Sequence, residues 1–260
     1  MTNKQRIDLI ARYIREHKYA DLHTLATRFS GSLSTVRRAL DQLETAGIVR
    51  RHHGGASLIE TDAVAQEYDF IARNQRHPDE KFAIASLVAR EVQPGMTVIL
   101  DGGSTTYAVA RLLVDKRLQV ITNSLPIASL FSEVGSVETI VTGGSIYNRL
   151  GVVLGPMCEE SLSQVHADLA ILGGAGITEN GVWNHNSLIV SAQRKMIAAA
   201  ERTLFALDNS KFGRKALSLT TPFESGFTII TDTRPAPPVI KAIQAAGAKL
   251  TLTERKTTRG

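Results

Sequence analysis

Cysteine is almost absent from this chain of 260 residues, where Cys158 stands alone. One thiol excludes an internal disulfide and any thiolate-rich zinc site, and it fits a reducing cytoplasm. Aromatic residues are scarce at 5%, with a single tryptophan, Trp183. No apolar run approaches the about 18–20 residues that a membrane helix requires, so no membrane partner is expected. The opening residues, MTNKQRIDLI, lack the apolar core of a secretory signal. No disordered, collagen-like or low-complexity composition is present. What remains is a globular composition, 43% hydrophobic and 21% charged. The length exceeds one typical domain of roughly 100–200 residues, so two domains are expected.

The net charge of +5 is unevenly spread. Residues 1–60 hold 10 Lys and Arg against 6 Asp and Glu, whereas residues 61–260 hold 20 against 19. Four of the seven histidines also fall in the first segment. This asymmetry is expected when one part of a chain meets a polyanion and the rest does not.

Within the basic segment, Ile7, Ile10, Ala11 and Ile14 recur at helical spacing over residues 4–18. Asp21 can cap a second helix carrying Leu22, Leu25, Ala26 and Phe29. Ser32 can cap a third, from about Leu33 to Ala46, with Val36, Leu40 and Leu43 as its buried stripe. At about 100° per residue, Ser34, Arg38 and Asp41 point away from that stripe, with Thr35 and Arg37 on its flanks. A small, hydroxylated, doubly basic helix start suits the DNA major groove, where arginine pairs with guanine. Ser32 and its neighbours then lie near phosphate. After Gly47, two extended stretches flank Gly54-Gly55, a hairpin whose Arg50, Arg51 and His53 can reach a phosphate backbone. The bland alternative is a three-helix bundle with a solvated basic face.

The stretch SLSTVRRALDQLETAGIVRRHHGGA, Ser32 to Ala56, carries a family resemblance. Residues 4–57 resemble the winged helix-turn-helix of the DeoR family of bacterial sugar-metabolism repressors. The match runs through Ser32, Thr35, Arg37, Arg38, Leu40, Arg51, His53, Gly54, Gly55 and Ala56. The chain departs at Ala39, where the family usually has Asp.

The remainder alternates helical and strand-like patterns, the signature of an α/β domain with a mostly parallel sheet. Strands are expected near 97–100, 119–122, 137–142, 168–172, 203–207, 228–230 and 249–252, and helices near 79–91, 187–200 and 238–246. Five strands run directly into Gly, Ser, Thr, Asn or Lys. In open α/β sheets, ligands bind beyond the carboxyl ends of strands. Asp101-Gly102-Gly103-Ser104-Thr105-Thr106 offers amides and hydroxyls for a phosphate, Gly173 begins another such turn, and Lys211 adds a point charge. The alternative is that the glycines only shape tight turns. No P-loop and no G-x-G-x-x-G fingerprint follows a strand.

Residues 78–253 resemble the DeoR-type sensor domain, similar in fold to ribose-5-phosphate isomerase and the coenzyme-A transferases. The resemblance rests on DGGSTT at 101–106, TNS at 122–124, TGG at 142–144, Gly155-Pro156 and DNSKFG at 208–213. It implies a phosphorylated sugar effector held by Asp101, Gly103, Ser104, Thr105, Thr106, Asn123, Ser124, Gly143, Gly144 and Lys211. Of the family's Asn-x-x-Glu-Ala run, Asn186-Ser187-Leu188-Ile189-Val190 keeps only the Asn.

The expected organisation is a winged helix-turn-helix over 1–57, a linker over 58–77, the sensor domain over 78–253 and a disordered tail over 254–260. The favoured function is a repressor of a sugar operon, a homodimer or homotetramer on double-stranded operator DNA. No catalytic residues, cofactor or metal are expected. The rival is a sugar-phosphate isomerase with an added DNA-binding segment, its acid and base drawn from Asp101, Asp168 and Asp208. His185 reads as a loop polar group or an effector contact, and Cys158 as a buried small apolar residue.

Overall fold

The computed structural model describes residues 3–17, 19–46, 48–52, 54–58 and 70–253. The expected linker is thus described only at Leu58 and from Phe70 on, and the expected tail at 254–260 lies outside the described residues. The chain divides into two compact units, Met1–Gln66 and Glu67–Gly260. Among the described residues no helix is long and apolar enough to cross a membrane.

In the first unit, helix α1 (Asn3–His17) buries Ile10, Ala11 and Ile14. A short strand β1 (Tyr19–Asp21) leads into α2 (Leu22–Arg28), capped as the sequence implies. The Thr24 amide donates to Asp21 Oδ1 at 2.9 Å and the Thr24 hydroxyl to Oδ2 at 2.6 Å. Helix α3 (Leu33–Thr45) buries Val36, Ala39, Leu40 and Leu43 against α1 and α2. Ile10, Ile14, Leu25 and Leu40 are fully buried, each worth roughly 1.5–3 kcal/mol relative to exposure. The wing is β2 (Val49–His52) and β3 (Gly55–Leu58). It is not a lone hairpin: β1 pairs with β3, giving the antiparallel order β1-β3-β2. Gly55 makes that pairing possible, since a Cβ there would lie 2.3 Å from the Ala20 carbonyl oxygen.

The second unit begins with α4 (Phe70–Asn74) and α5 (Pro78–Glu91). Its centre is a seven-stranded, all-parallel sheet: β4 (Thr97–Leu100), β5 (Leu118–Thr122), β6 (Val137–Val141), β9 (Ala167–Leu172), β12 (Ala200–Ala206), β14 (Phe227–Thr231) and β15 (Lys249–Leu252). Helices cover both faces, so the strands read as continuous apolar runs. Along β4 the side chains alternate: Val98 and Leu100 join α5, α6 (Ser104–Arg111) and α7 (Leu125–Ser132), while Ile99 joins the opposite core. That opposite core holds α8 (Pro156–Ser163), α9 (Ser187–Ala198) and α10 (Pro237–Ala245). Cys158 lies in it, fully buried, and burial pushes its thiol pKa up.

The spatial order is β15-β14-β12-β9-β4-β5-β6. From β4 the chain winds outward through β5 to β6, and from β9 it winds the other way through β12, β14 and β15. The reversal falls between β4 and β9, where an open parallel sheet leaves a crevice beyond its carboxyl edge. Two antiparallel additions flank this edge: a hairpin of β7 (Ser145–Tyr147) and β8 (Val152–Leu154), and a sheet of β10 (Gly176–Thr178), β11 (Gly181–Asn184) and β13 (Ser218–Thr221).

Candidate functional site

Two sites emerge, one in each unit. In the first, α3 presents Ser32, Ser34, Arg37 and Arg38 as exposed side chains, with Thr35 half-buried. Ser32 caps the helix, accepting from the Thr35 amide at 3.2 Å, and its hydroxyl lies 2.8 Å from both Ser34 Oγ and Thr35 Oγ1. Ala39, where the chain departs from the family pattern, is 1% exposed and packs in the core. Arg51 is paired with Asp41 on α3, and its amide donates to Glu44 Oε1 at 2.8 Å. This ties the wing to the helix. Arg37 and Arg51 line one groove together with Leu22 and His52. Arg50 lies on β2, and its side chain, like His53, lies outside the described residues.

In the second unit a cleft opens at the strand-order reversal. Its floor is the turn after β4, its walls the turns after β9 and β12. Asp101, Gly102, Gly103, Ser104, Thr105, Thr106, Gly173 and Lys211, all expected from sequence, line it. The first backbone bond of α6 runs from the Tyr107 amide to Gly103 O at 2.9 Å. The amides of Ser104, Thr105 and Thr106 therefore form the first turn, where an α-helix lacks internal acceptors and favours an anion. Gly102 is required for another reason: a Cβ there would lie 2.0 Å from Val152 Cγ1 on the β8 hairpin.

Asn123, Ser124, Gly143 and Gly144 do not line the cleft. They follow β5 and β6, one and two strands further from the reversal; the β7–β8 hairpin engages Asn123, Ser124 and Gly144, while Gly143 meets Met157 and Ser161 of α8. Asn123 Nδ2 donates to Val153 O at 3.2 Å, and the Val153 amide to Asn123 O at 2.7 Å. Ser124 caps α7, and a Cβ on Gly144 would lie 2.5 Å from Leu154 O. Asp168 starts β9 at the opposite edge of the sheet, where Oδ2 accepts the Thr97 amide at 2.7 Å. The rival enzyme reading thereby loses one of its three carboxylates.

The structure adds residues that the sequence reading missed. Arg73, Arg76, His77 and Lys81 come from the segment read as linker and from α5, with Gln193 from α9 and Arg214 beyond β12. His77 holds φ +52, a left-handed backbone that a non-glycine residue adopts at a cost of roughly 1–3 kcal/mol, often at functional sites. A signal existed for two of them. Lys81 precedes Ile84, Ala85 and Val88 on one buried stripe, and Gln193 falls between Val190 and Met196 on another. A polar residue at helical spacing inside an apolar stripe is a buried polar group with a task.

The cleft is electropositive. Among the described residues, its lining holds Arg73, Arg76, Lys81, Lys211 and Arg214 and two carboxylates, Asp101 and Asp208. Lys81 is buried, with Nζ donating to the carbonyls of Arg73 and Arg76. Burial lowers its pKa to about 8; Asp208 opposes the shift, while Arg73, Lys211 and Arg76 add to it. Asp101, 3% exposed, is pushed up to about 6 by burial, against hydrogen bonds from Gln193 and the Gly173 amide. For Asp208, burial is outweighed by the Ser210 hydroxyl, Lys211 and the Ser210 amide, which hold it below the usual carboxylate range.

The comparisons with known proteins agree with this two-part layout. The DeoR-like helix-turn-helix domain matches residues 6–62 and the DeoR C terminal sensor domain residues 76–233. The glycerol-3-phosphate regulon repressor of Escherichia coli (strain K12) is 30% identical over 94% of this chain and 95% of its own. Transcriptional repressor AccR of Agrobacterium fabrum is 34% identical over 86% of this chain and 87% of its own. Among solved structures, ribose 5-phosphate isomerase A of Methanocaldococcus jannaschii is 17% identical, with a TM-score of 0.39, covering 52% of this chain and 54% of that one. With both domains matched in order and relatives similar over nearly the whole chain, this protein belongs to the DeoR family of transcriptional regulators, a DNA-binding helix-turn-helix followed by a sensor domain.

Proposed function

We propose that this protein represses a sugar-related operon and that a phosphorylated sugar-like effector in the second unit's cleft controls it. The observation that carries this reading is the cleft itself. The first-turn amides of an eight-residue helix, Lys211, Lys81 and three arginines surround one crevice at the sheet's switch point. Such a site favours a phosphate. The name of the Escherichia coli relative, a glycerol-3-phosphate regulon repressor, supports a phosphorylated polyol or sugar as the class. Asp101 and Asn184 offer partners for hydroxyls. The family relatives are regulators, and the absence of a catalytic role is part of this proposal. So are work in the cytoplasm, where the operator is, and a homodimer or homotetramer reading paired half-sites.

Arg38 tests the DNA-binding half. On an operator selected from random duplexes, Arg38→Ala is expected to weaken binding by about 1–3 kcal/mol and relax one base preference. Anisotropy titration across variant operators reads both; unchanged affinity rejects the contact.

Lys81 tests the effector half through pH. Its lowered pKa means that part of its population is neutral near pH 8. A bound phosphate favours the ammonium form, so binding takes up protons there, and affinity falls as pH rises through about 8. Calorimetry at pH 8 in buffers of different ionisation enthalpy measures this uptake. Lys81→Met is expected to remove it; uptake that persists in this variant places the titrating group elsewhere.

A further inference from the structure

Two acidic side chains stand on α3, the helix whose start carries Ser34, Arg37 and Arg38. Asp41 lies one turn beyond Arg38 and Glu44 one turn beyond Asp41, and both are exposed. Residues spaced in this way are neighbours on a helix surface. A carboxylate on such a helix works against DNA, whose backbone carries one negative charge per about 1.7 Å of axis. The structure shows what the two carboxylates do. Both meet one residue of the wing, Arg51 on β2.

The contacts hold Arg51 at both ends. In the order β1-β3-β2, β2 is an edge strand and leaves one row of backbone groups facing away from β3. The Arg51 amide is in that row and donates to Glu44 Oε1 at 2.8 Å. Glu44 thereby satisfies a donor that an edge strand leaves open. At the far end of the residue, Arg51 Nη1 donates to Asp41 Oδ1. As an exposed ion pair this contact contributes little to stability, so its consequence is orientation. A guanidinium is planar and carries five N–H donors, so a carboxylate on one nitrogen orients the plane without using up its donors. The oriented group lies on the groove that Arg37 also lines. An arginine held in this way loses less rotamer freedom on meeting DNA than one that swings freely. It also approaches from one direction, and direction distinguishes a base edge from a phosphate.

We propose that Asp41 and Glu44 are positioning residues that set DNA specificity through Arg51. They lower affinity for any duplex, because they bring negative charge to the DNA-facing helix. They raise discrimination, because they aim one guanidinium. This inference rests on the reading of α3 and the wing as the DNA-contacting elements.

Anisotropy titrations of the full chain at fixed salt test it, with the selected operator and with random duplex of equal length. Both positions are exposed on the helix, so alanine, the best helix former, keeps α3 folded. Asp41→Ala is expected to tighten binding to random duplex about threefold and to cut the operator-over-random ratio about tenfold. Asp41→Glu is expected to restore part of that ratio. Glu44→Gln, which keeps an acceptor oxygen, is expected to hold the ratio within about twofold of the parent, whereas Glu44→Ala lowers it. In an Arg51→Ala background, Asp41→Ala is expected to change the ratio by less than about twofold, since the residue it aims is gone. A ratio that Asp41→Ala leaves unchanged or raises overturns the positioning role. So does an equal fall in the Arg51→Ala background, which assigns Asp41 a direct contact to a base. Arg51→Ala alone separates this inference from the reading beneath it. If both affinities are unchanged, Arg51 does not meet DNA, and that contact falls together with the proposal. If Arg51→Ala weakens binding while Asp41→Ala leaves the ratio alone, only the proposal falls.

Discussion

Replacing Gln193 by leucine is expected to destabilise the second unit by about 3–5 kcal/mol at neutral pH. Gln193 is 1% exposed and sits at the centre of the cleft's polar wall. Nε2 donates to Asp101 Oδ2 at 2.6 Å and to Gly173 O at 3.1 Å. Oε1 accepts from Asn184 Nδ2 at 2.6 Å and from Thr220 Oγ1 at 3.3 Å. Leucine fits the space but offers neither donor nor acceptor. The largest loss is at Asp101, a buried carboxylate left with the backbone amides of Gly173, at 3.3 Å, and Gly102 and with the charge of Arg73.

This loss depends on pH, and its sign follows from the direction of the Asp101 shift. Its pKa is raised from 3.8 to about 6, so the folded state holds the proton more tightly than the unfolded chain. Ionised Asp101 therefore weakens the fold above about pH 6, and stability returns as pH falls from about 6 towards 3.8. Removing Gln193 raises that pKa further. The cost of the substitution is then greatest above pH 6 and shrinks near pH 5. Trp183, the sole tryptophan, lies on β11 and reports the second unit alone during denaturation. Asp101→Asn in the same background is expected to recover much of the loss at pH 7.5. Equal losses at pH 7.5 and pH 5 reject the account.

The contrast between what local sequence displayed and what it concealed has a physical origin. Helix α3 was readable to within a residue, because Val36, Leu40 and Leu43 share a stripe and Ser32 supplies the missing acceptor. The parallel strands were readable as apolar runs, because both faces are covered. The five strand ends with small polar residues looked alike, yet only those after β4, β9 and β12 reach the cleft. Which strands are neighbours depends on pairings between residues such as Val98 and Leu169, far apart in the chain. No local pattern carries that order. Arg73 and Arg76 were hidden for a related reason. They lie in a stretch without periodicity, and their place at the cleft is set by Lys81, which binds their backbone carbonyls from α5. The small antiparallel sheet escaped notice because β10 and β11 have 3 and 4 residues, too few to show an alternation.

Combining Thr105→Ala with Lys211→Ala is expected to abolish the effector response while DNA binding survives. Thr105 stands in the first turn of α6, 8% exposed, and Lys211 in the short turn after β12 beside Asp208. Together they supply a hydroxyl and a point charge. Two such interactions with an anion are worth about 3–4 kcal/mol, or roughly 10²–10³ in Kd. The probe is the tightest of a panel of sugar phosphates ranked by calorimetry, titrated into protein bound to fluorescent operator DNA. Affinity for operator without effector is expected within about twofold of the parent, since α3 and the wing belong to the other compact unit. An undiminished response rejects the cradle. The dose dependence separates binding from transmission. An effector shifts DNA affinity only through its unequal affinity for the two states of the protein. If Thr105 and Lys211 bind the effector equally in both, about a thousandfold more effector restores the full amplitude. If they hold it only in the state with altered DNA affinity, the amplitude stays reduced even at saturation.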